Sequence, residues 1–191
     1  SALHAIGWPA LIAIAGGIGL LTGGRRLAIG AAAGTAALGI LGLWESSVDT
    51  LGAVMAAVAI SFAIGVPLGI LVAQNARFRR LLTPLLDVMQ IMPTFAYLAP
   101  FVLFFGIGPA AASIVTLIYA MPAAIRITAL GLRNVPVNTV EAGRSLGTTS
   151  RQLLRKVRLP LASKELALAL NQTLMLAVSM IVITALIDDA V

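Results

Sequence analysis

The sequence predicts an all-α membrane protein, a polytopic bundle of about six transmembrane helices joined by short connections and one long polar loop. Three observations predict it. Of 191 residues, 60% are hydrophobic and only 10% charged, and the mean hydropathy is +1.03, far above what filling a soluble core requires. Apolar runs of membrane-spanning length recur between short polar or glycine-rich breaks. Lys and Arg keep to alternate breaks, the pattern of positive charge held on the cytoplasmic side.

The spans are expected at residues 5–22, 27–43, 51–73, 84–105, 111–132 and 165–187. The first run, from Ala5 to Leu21, has neither a preceding basic region nor a small-residue cleavage site, so it reads as a retained span. Gly23-Gly24-Arg25-Arg26 separates it from the second, where Gly30 and Gly34 have the spacing that lets helix backbones approach closely in lipid. The break from Trp44 to Asp49 leads into the third, in which Gly65 and Gly69 flank Pro67. The break from Gln74 to Arg80 leads into the fourth, and Gly106 to Pro109 into the fifth. Pro67, Pro93, Pro100 and Pro122 interrupt helical hydrogen bonds inside spans, either as bends around a path or as plain kinks.

With the basic breaks in the cytoplasm, Arg25, Arg26, Arg77, Arg79, Arg80 and every basic residue from Arg126 to Lys164 fall on one side. Glu45, Asp49, Asp188 and Asp189 fall on the other, so both visible ends are expected outside. Asp87 is placed at the cytoplasmic start of its span, where a helix amino-terminus favours a carboxylate.

Several classes of function are excluded. The chain has no cysteine, and the single His4 cannot build a metal site, so no metal is expected. No serine–histidine pair or paired aspartates occur within the spans, and no Gly-x-x-x-x-Gly-Lys-Ser/Thr sequence is present, so the chain is read as neither an intramembrane enzyme nor a nucleotide-binding subunit. The net charge of +6 reports orientation rather than a nucleic-acid partner, because the bases occupy breaks between apolar segments.

The stretch 133–164 is too polar to span and reads as two short helices broken at Gly147. Thr149 or Ser150 can cap the second; Leu153, Leu154, Val157 and Leu161 share one side of it, Arg151, Arg155 and Arg158 face elsewhere, and Pro160 is expected to stop it. On pattern alone this is an amphipathic pair whose basic surface suits anionic headgroups. Its spacing says more. Glu141-Ala142-Gly143, then Gly147, Val157, Leu159 and Pro160, resembles the cytoplasmic signature loop of ABC importer permeases: Glu-Ala-Ala, three residues, Gly, nine residues, Ile, any residue, Leu-Pro. Gly143 stands for the second Ala and Val157 for the Ile.

That resemblance implies a coupling helix docking on an ATPase subunit, with Glu141, Ala142 and Gly147 at the contact. It implies two ATPase subunits carrying ATP and Mg, a second permease copy or paralogue, an extracytoplasmic solute-binding protein, and a multi-pass location in a bacterial inner membrane with loop 141–160 cytoplasmic. Residues 1–191 are then one permease domain: accessory helices over 5–50, a core over 51–187 and the coupling loop over 134–160.

A second resemblance, over Met89–Pro100, Phe104–Gly108, Ala120-Met121-Pro122 and Arg126-Ile127-Thr128, is to the glycine betaine, proline and choline branch of these permeases. Independently, Gln90, Thr94, Tyr97, Phe101 and Phe104 follow helical spacing, with Tyr119 nearby. Aromatic faces attract a quaternary ammonium that nothing can hydrogen-bond, so these residues are candidates for a substrate path, and ordinary helix packing is the competing account. Gln172 and Ser179 share a face of the last span; with Asn171 and Thr173 they are expected inside, lining the path or binding neighbouring helices.

The rival from another class is an ion-coupled secondary transporter, which would show mid-membrane ionisable groups or half-repeats. A second rival is an ABC permease for a different small polar solute such as an amino acid. The sequence starts without Met and stops just after a span, whereas related permeases usually continue through a Gly-rich segment into another helix, so further chain is expected at the carboxyl end.

Overall fold

The protein is described by a computed structural model, which covers residues 8–106 and 108–188. His4 and Asp189 lie outside the described residues, as do the side chains of Thr94, Phe95 and Tyr97. The described elements are helical throughout: α1 Trp8–Ile40, α2 Trp44–Gln74, α3 Ala76–Ile91, α4 Thr94–Phe105, α5 Pro109–Asn134, α6 Val137–Ser145, α7 Ser150–Leu153, a π-helical turn Leu154–Arg158, α8 Leu159–Leu161 and α9 Ser163–Asp188. The chain divides into two compact units, residues 1–53 and 54–191.

In the first unit, α1 is two helices that meet at Gly24, whose φ of 77° only glycine adopts freely. These arms cover the first two runs expected as spans. Gly42, at φ 72°, ends the second arm; its N–H and that of Leu43 donate back to the carbonyls of Gly39 and Leu38. The polar run from Trp44 to Asp49, expected as a break, is instead the opening of α2. Glu45 complements the positive end of the helix dipole, and the Thr50 hydroxyl donates to the Ser46 carbonyl, so these polar groups are satisfied within a helix.

Three described helices are long and apolar enough to cross a membrane: Trp44–Gln74, Ala111–Asn134 and Ser163–Thr184. The run expected as one span over 84–105 is two helices, α3 and α4. Met92 is extended (φ −63°, ψ 131°) because Pro93 disfavours a helical residue before it. By contrast Pro67, Pro100 and Pro122 remain inside helices. Pro122 has no N–H to give the Ile118 carbonyl. In the same loosened turn, the fully buried Ser61 hydroxyl of α2 donates to the Leu117 carbonyl.

Small residues set the packing of the second unit. A Cβ on Gly65 would lie 2.5 Å from the Ala124 Cβ, and one on Gly69 would lie 2.7 Å from the Thr128 Cβ and 2.8 Å from the Ile125 carbonyl oxygen. Here α2 rides directly on the backbone of α5. At Gly131 the same holds between α5 and Glu165 of α9. A Cβ on Gly30 or Gly34 meets nothing within 4 Å, so among the described residues only one of the two small-residue stripes is used.

Two charged groups are placed differently from expectation. Asp87 lies well past the first turn of α3, and Arg126 lies inside α5 rather than in the basic break. They pair with each other, so the Arg126 guanidinium, and not a helix amino-terminus, accounts for the carboxylate. The sequence showed the arginine but not its partner, which comes from a helix 39 residues away along the chain.

Candidate functional site

The long polar stretch folds into a compact projection, and each of its turns has a local cause. Gly147 has φ 74° and terminates α6. Its N–H donates to the Arg144 carbonyl, the Thr148 N–H to the Gly143 carbonyl, and the Thr148 hydroxyl to that same Gly143 oxygen at 2.7 Å. Thr149 then caps α7 in a reciprocal arrangement with Gln152: each side chain accepts from the other residue's backbone N–H. The expected cap and break are therefore both in place.

The second helix ends one residue past Pro160, at Leu161, where Ala162 leaves helical geometry (φ −87°, ψ 12°). Pro160 itself is inside the last turn, directly after a wider π-helical turn that accommodates its ring. The chain runs on through Ala162 into α9.

The projection is fastened to the bundle. Val140, Leu153 and Ala162 form one buried cluster with Leu132 and Val135 at the end of α5, and Ile70, Ala73, Leu154, Val157 and Leu159 pack around it. Of the residues the sequence singled out, Gly143, Val157 and Leu159 thus face inward, whereas Glu141, Ala142, Gly147 and Pro160 are exposed. The inward residues hold the loop to the ends of α2 and α5, and the outward ones form a free surface.

The two glycines have different roles. A Cβ on Gly147 would meet nothing within 4 Å, so its left-handed backbone is the requirement, not close approach. Gly143 is the close approach: a Cβ there would come 2.8 Å from Leu153 Cδ1. Gly143→Ala should therefore change stability by no more than about 1 kcal/mol. A gain of roughly 0.5–1 kcal/mol in helix propensity offsets an overpacking cost of similar size against a flexible side-chain end. Thermal unfolding of the detergent-solubilised variant checks this, and a large drop in midpoint would contradict it.

The candidate path residues are only partly assembled. Phe101 and Tyr119 pack around one cluster formed by Leu98, Val115 and Met180, where α4, α5 and α9 meet. Phe101 stacks on Phe105 with ring centroids 6.2 Å apart, while Phe104 is 84% exposed. Gln90 belongs to α3, across the break at Met92 and Pro93, so it is not in one helical register with Phe101 and Phe104. Gln172 and Ser179 do share a face of α9, but an exposed one, as is Asn171; only Thr173 is inside, its hydroxyl donating to the Ala169 carbonyl.

A helical bundle with apolar spans and one compact polar projection fastened to the span ends is the build of a membrane transport component. Residues 65–189 match the family described as the binding-protein-dependent transport system inner membrane component, and the chain belongs to that family. It is 43% identical over 163 residues to the glycine betaine transport system permease protein OpuAB of Bacillus subtilis, covering 85% of this chain and 58% of that protein. It is 46% identical over 151 residues to the glycine betaine/proline betaine transport system permease protein ProW of Escherichia coli, covering 79% of this chain and 43% of that one. The chain thus spans about half the length of these relatives. Among solved structures it resembles the MetNI methionine ABC transporter in inward-facing conformations, with a TM-score of 0.63 and 27% identity over 69% of this chain and 68% of that one.

Proposed function

We propose that this chain is the transmembrane permease of an ATP-driven importer for glycine betaine or a closely related compatible solute, and that loop 141–160 transmits ATP hydrolysis to the spans. The observation that carries this reading is the projection itself. It is short, internally capped and fastened to the ends of α2 and α5, while leaving Glu141, Ala142 and Gly147 exposed. A rigid element of this kind moves the spans when a partner moves it.

The partners that follow are two ATPase subunits carrying ATP and Mg, a second permease copy or paralogue, and an extracytoplasmic solute-binding protein. The concentration of basic residues around alternate span ends, Arg126 inside α5 apart, supports a cytoplasmic loop. The kinship with OpuAB and ProW, whose names specify glycine betaine and proline betaine, supports the solute class. Phe101 and Tyr119, packed around one cluster, supply aromatic rings of the kind a quaternary ammonium favours, at about 0.5–2 kcal/mol per aromatic face.

Purification of the solubilised protein from its native membrane should bring down an ATP-binding cassette subunit, identified by mass spectrometry. The complex in proteoliposomes with its binding protein should take up radiolabelled glycine betaine only with ATP. A protein purified reproducibly alone would point to an ion-coupled carrier. A complex that imports methionine but no betaine would keep the importer and overturn the solute.

A further inference from the structure

Arg133, Arg144 and Arg158 come from three separate elements, the end of α5, α6 and the π-helical turn, yet they surround one place. Two hollows of about 270 and 260 Å³ open there, and they adjoin, since Ala73, Arg144 and Arg158 line both. Gln74, the last residue of α2, lies on one side and Glu141 on the other. The ion pair among the described residues is Asp87–Arg126, and none of the three arginines donates to a carboxylate. The Nε of Arg158 is buried and has no hydrogen-bond partner. A guanidinium nitrogen withdrawn from water with nothing to donate to is costly.

We propose that this cleft is a binding site for the phosphate of an anionic membrane lipid. Its position favours a lipid over other anions. Gln74 and Arg133 are at the ends of two apolar spans, α2 and α5, which is headgroup level for a chain that crosses the bilayer. The apolar side chains beside it, Leu153 and Leu154 in one hollow and Leu132 and Val135 in the other, suit the first carbons of the lipid. Arginine forks match phosphate oxygens in pairs, and three guanidiniums against the one carboxylate of Glu141 leave the cleft strongly cationic. The site would tie the lipid to the coupling projection, since Arg144 and Arg158 belong to it and Arg133 to the span beneath. The inference rests on these spans crossing a membrane, and not on which solute is carried.

The test is native mass spectrometry of the purified, delipidated transporter with phosphatidylglycerol or phosphatidylcholine added. Phosphatidylglycerol should be retained selectively. Loss of one arginine should lower retention about five-fold and loss of both about twenty-five-fold, at roughly one surface-charge contact each, in Arg144→Gln and Arg144→Gln/Arg158→Gln. Arg144 is exposed, so the single variant tests the site even if the double one misfolds. Arg151→Gln/Arg155→Gln, on the outer face of the projection, should retain the lipid as the unmodified protein does. Equal retention in the Arg144 and Arg151/Arg155 variants would overturn the proposal. So would full displacement of the lipid by millimolar inorganic phosphate, which would make this a site for a soluble anion. Loss of the ATPase subunit with lipid retention unchanged would also overturn it, by making the cleft a protein contact.

Discussion

Gly69→Leu should destabilise the protein by about 3 kcal/mol or more, the upper end of what overpacking costs. The reason is what the new side chain would meet. Its Cβ alone would lie 2.8 Å from a carbonyl oxygen of α5 and 2.7 Å from the Cβ of a fully buried threonine, and neither can swing aside as a side-chain end can. The helices must separate, which strips the contacts of the cluster around Val72 and Ile125 and draws α3 with them. Thermal or denaturant unfolding in detergent reads the loss. Gly34→Leu, where a Cβ meets nothing within 4 Å, should show no comparable change. If both variants unfold alike, the packing of α2 on α5 is not the source of stability described above.

Gly147→Val should reduce transport about tenfold or more while leaving the protein inserted and assembled. A β-branched residue at φ 74° pays on the order of 1–2 kcal/mol for the left-handed conformation, with a clash at its branched Cβ in addition. The reversal that presents α6 is then lost, together with the capping bonds from the Gly147 and Thr148 N–H groups. Gly147→Asn should recover most of the activity, because asparagine tolerates that backbone region. If close approach of a partner were the requirement instead, asparagine would be as harmful as valine. Glu141→Ala should likewise separate ATP hydrolysis from uptake, since Glu141 is exposed on the projection and outside its buried cluster. Paired assays of ATP hydrolysis and solute uptake in proteoliposomes decide both, and normal coupling in these variants would remove the transmitting role from the loop.

The candidate site was legible where the signal is local. The intervals from Glu141 to Pro160 marked the loop, Gly147 marked the reversal, and Thr149 with Gln152 marked the cap, since each depends on residues a few positions apart. Where a feature depends on a distant partner the reading failed or stayed open. Pro160 read as a terminator, and the helix does end one residue past it, but the π-helical turn that admits the ring was not legible in the sequence. The polar residues of the last span read as interior, yet Asn171, Gln172 and Ser179 are exposed in the single chain and only Thr173 is buried, because the buried face is chosen by α5.

The pattern of apolar residues by itself determined that this chain is a helical membrane protein. With no water in the bilayer each span must satisfy its own backbone, so about 20 apolar residues in a row leave no other solution. Its motif spacing determined the family, because a capped, glycine-broken loop is written in consecutive residues. Only the tertiary structure decided that Gly65, Gly69 and Gly131 carry the packing while Gly30 and Gly34 meet nothing within 4 Å, that Asp87 answers Arg126, and that three arginines from separate elements surround one cleft. These are meetings of residues far apart in the chain, settled by how whole helices dock and not by any residue's own preferences.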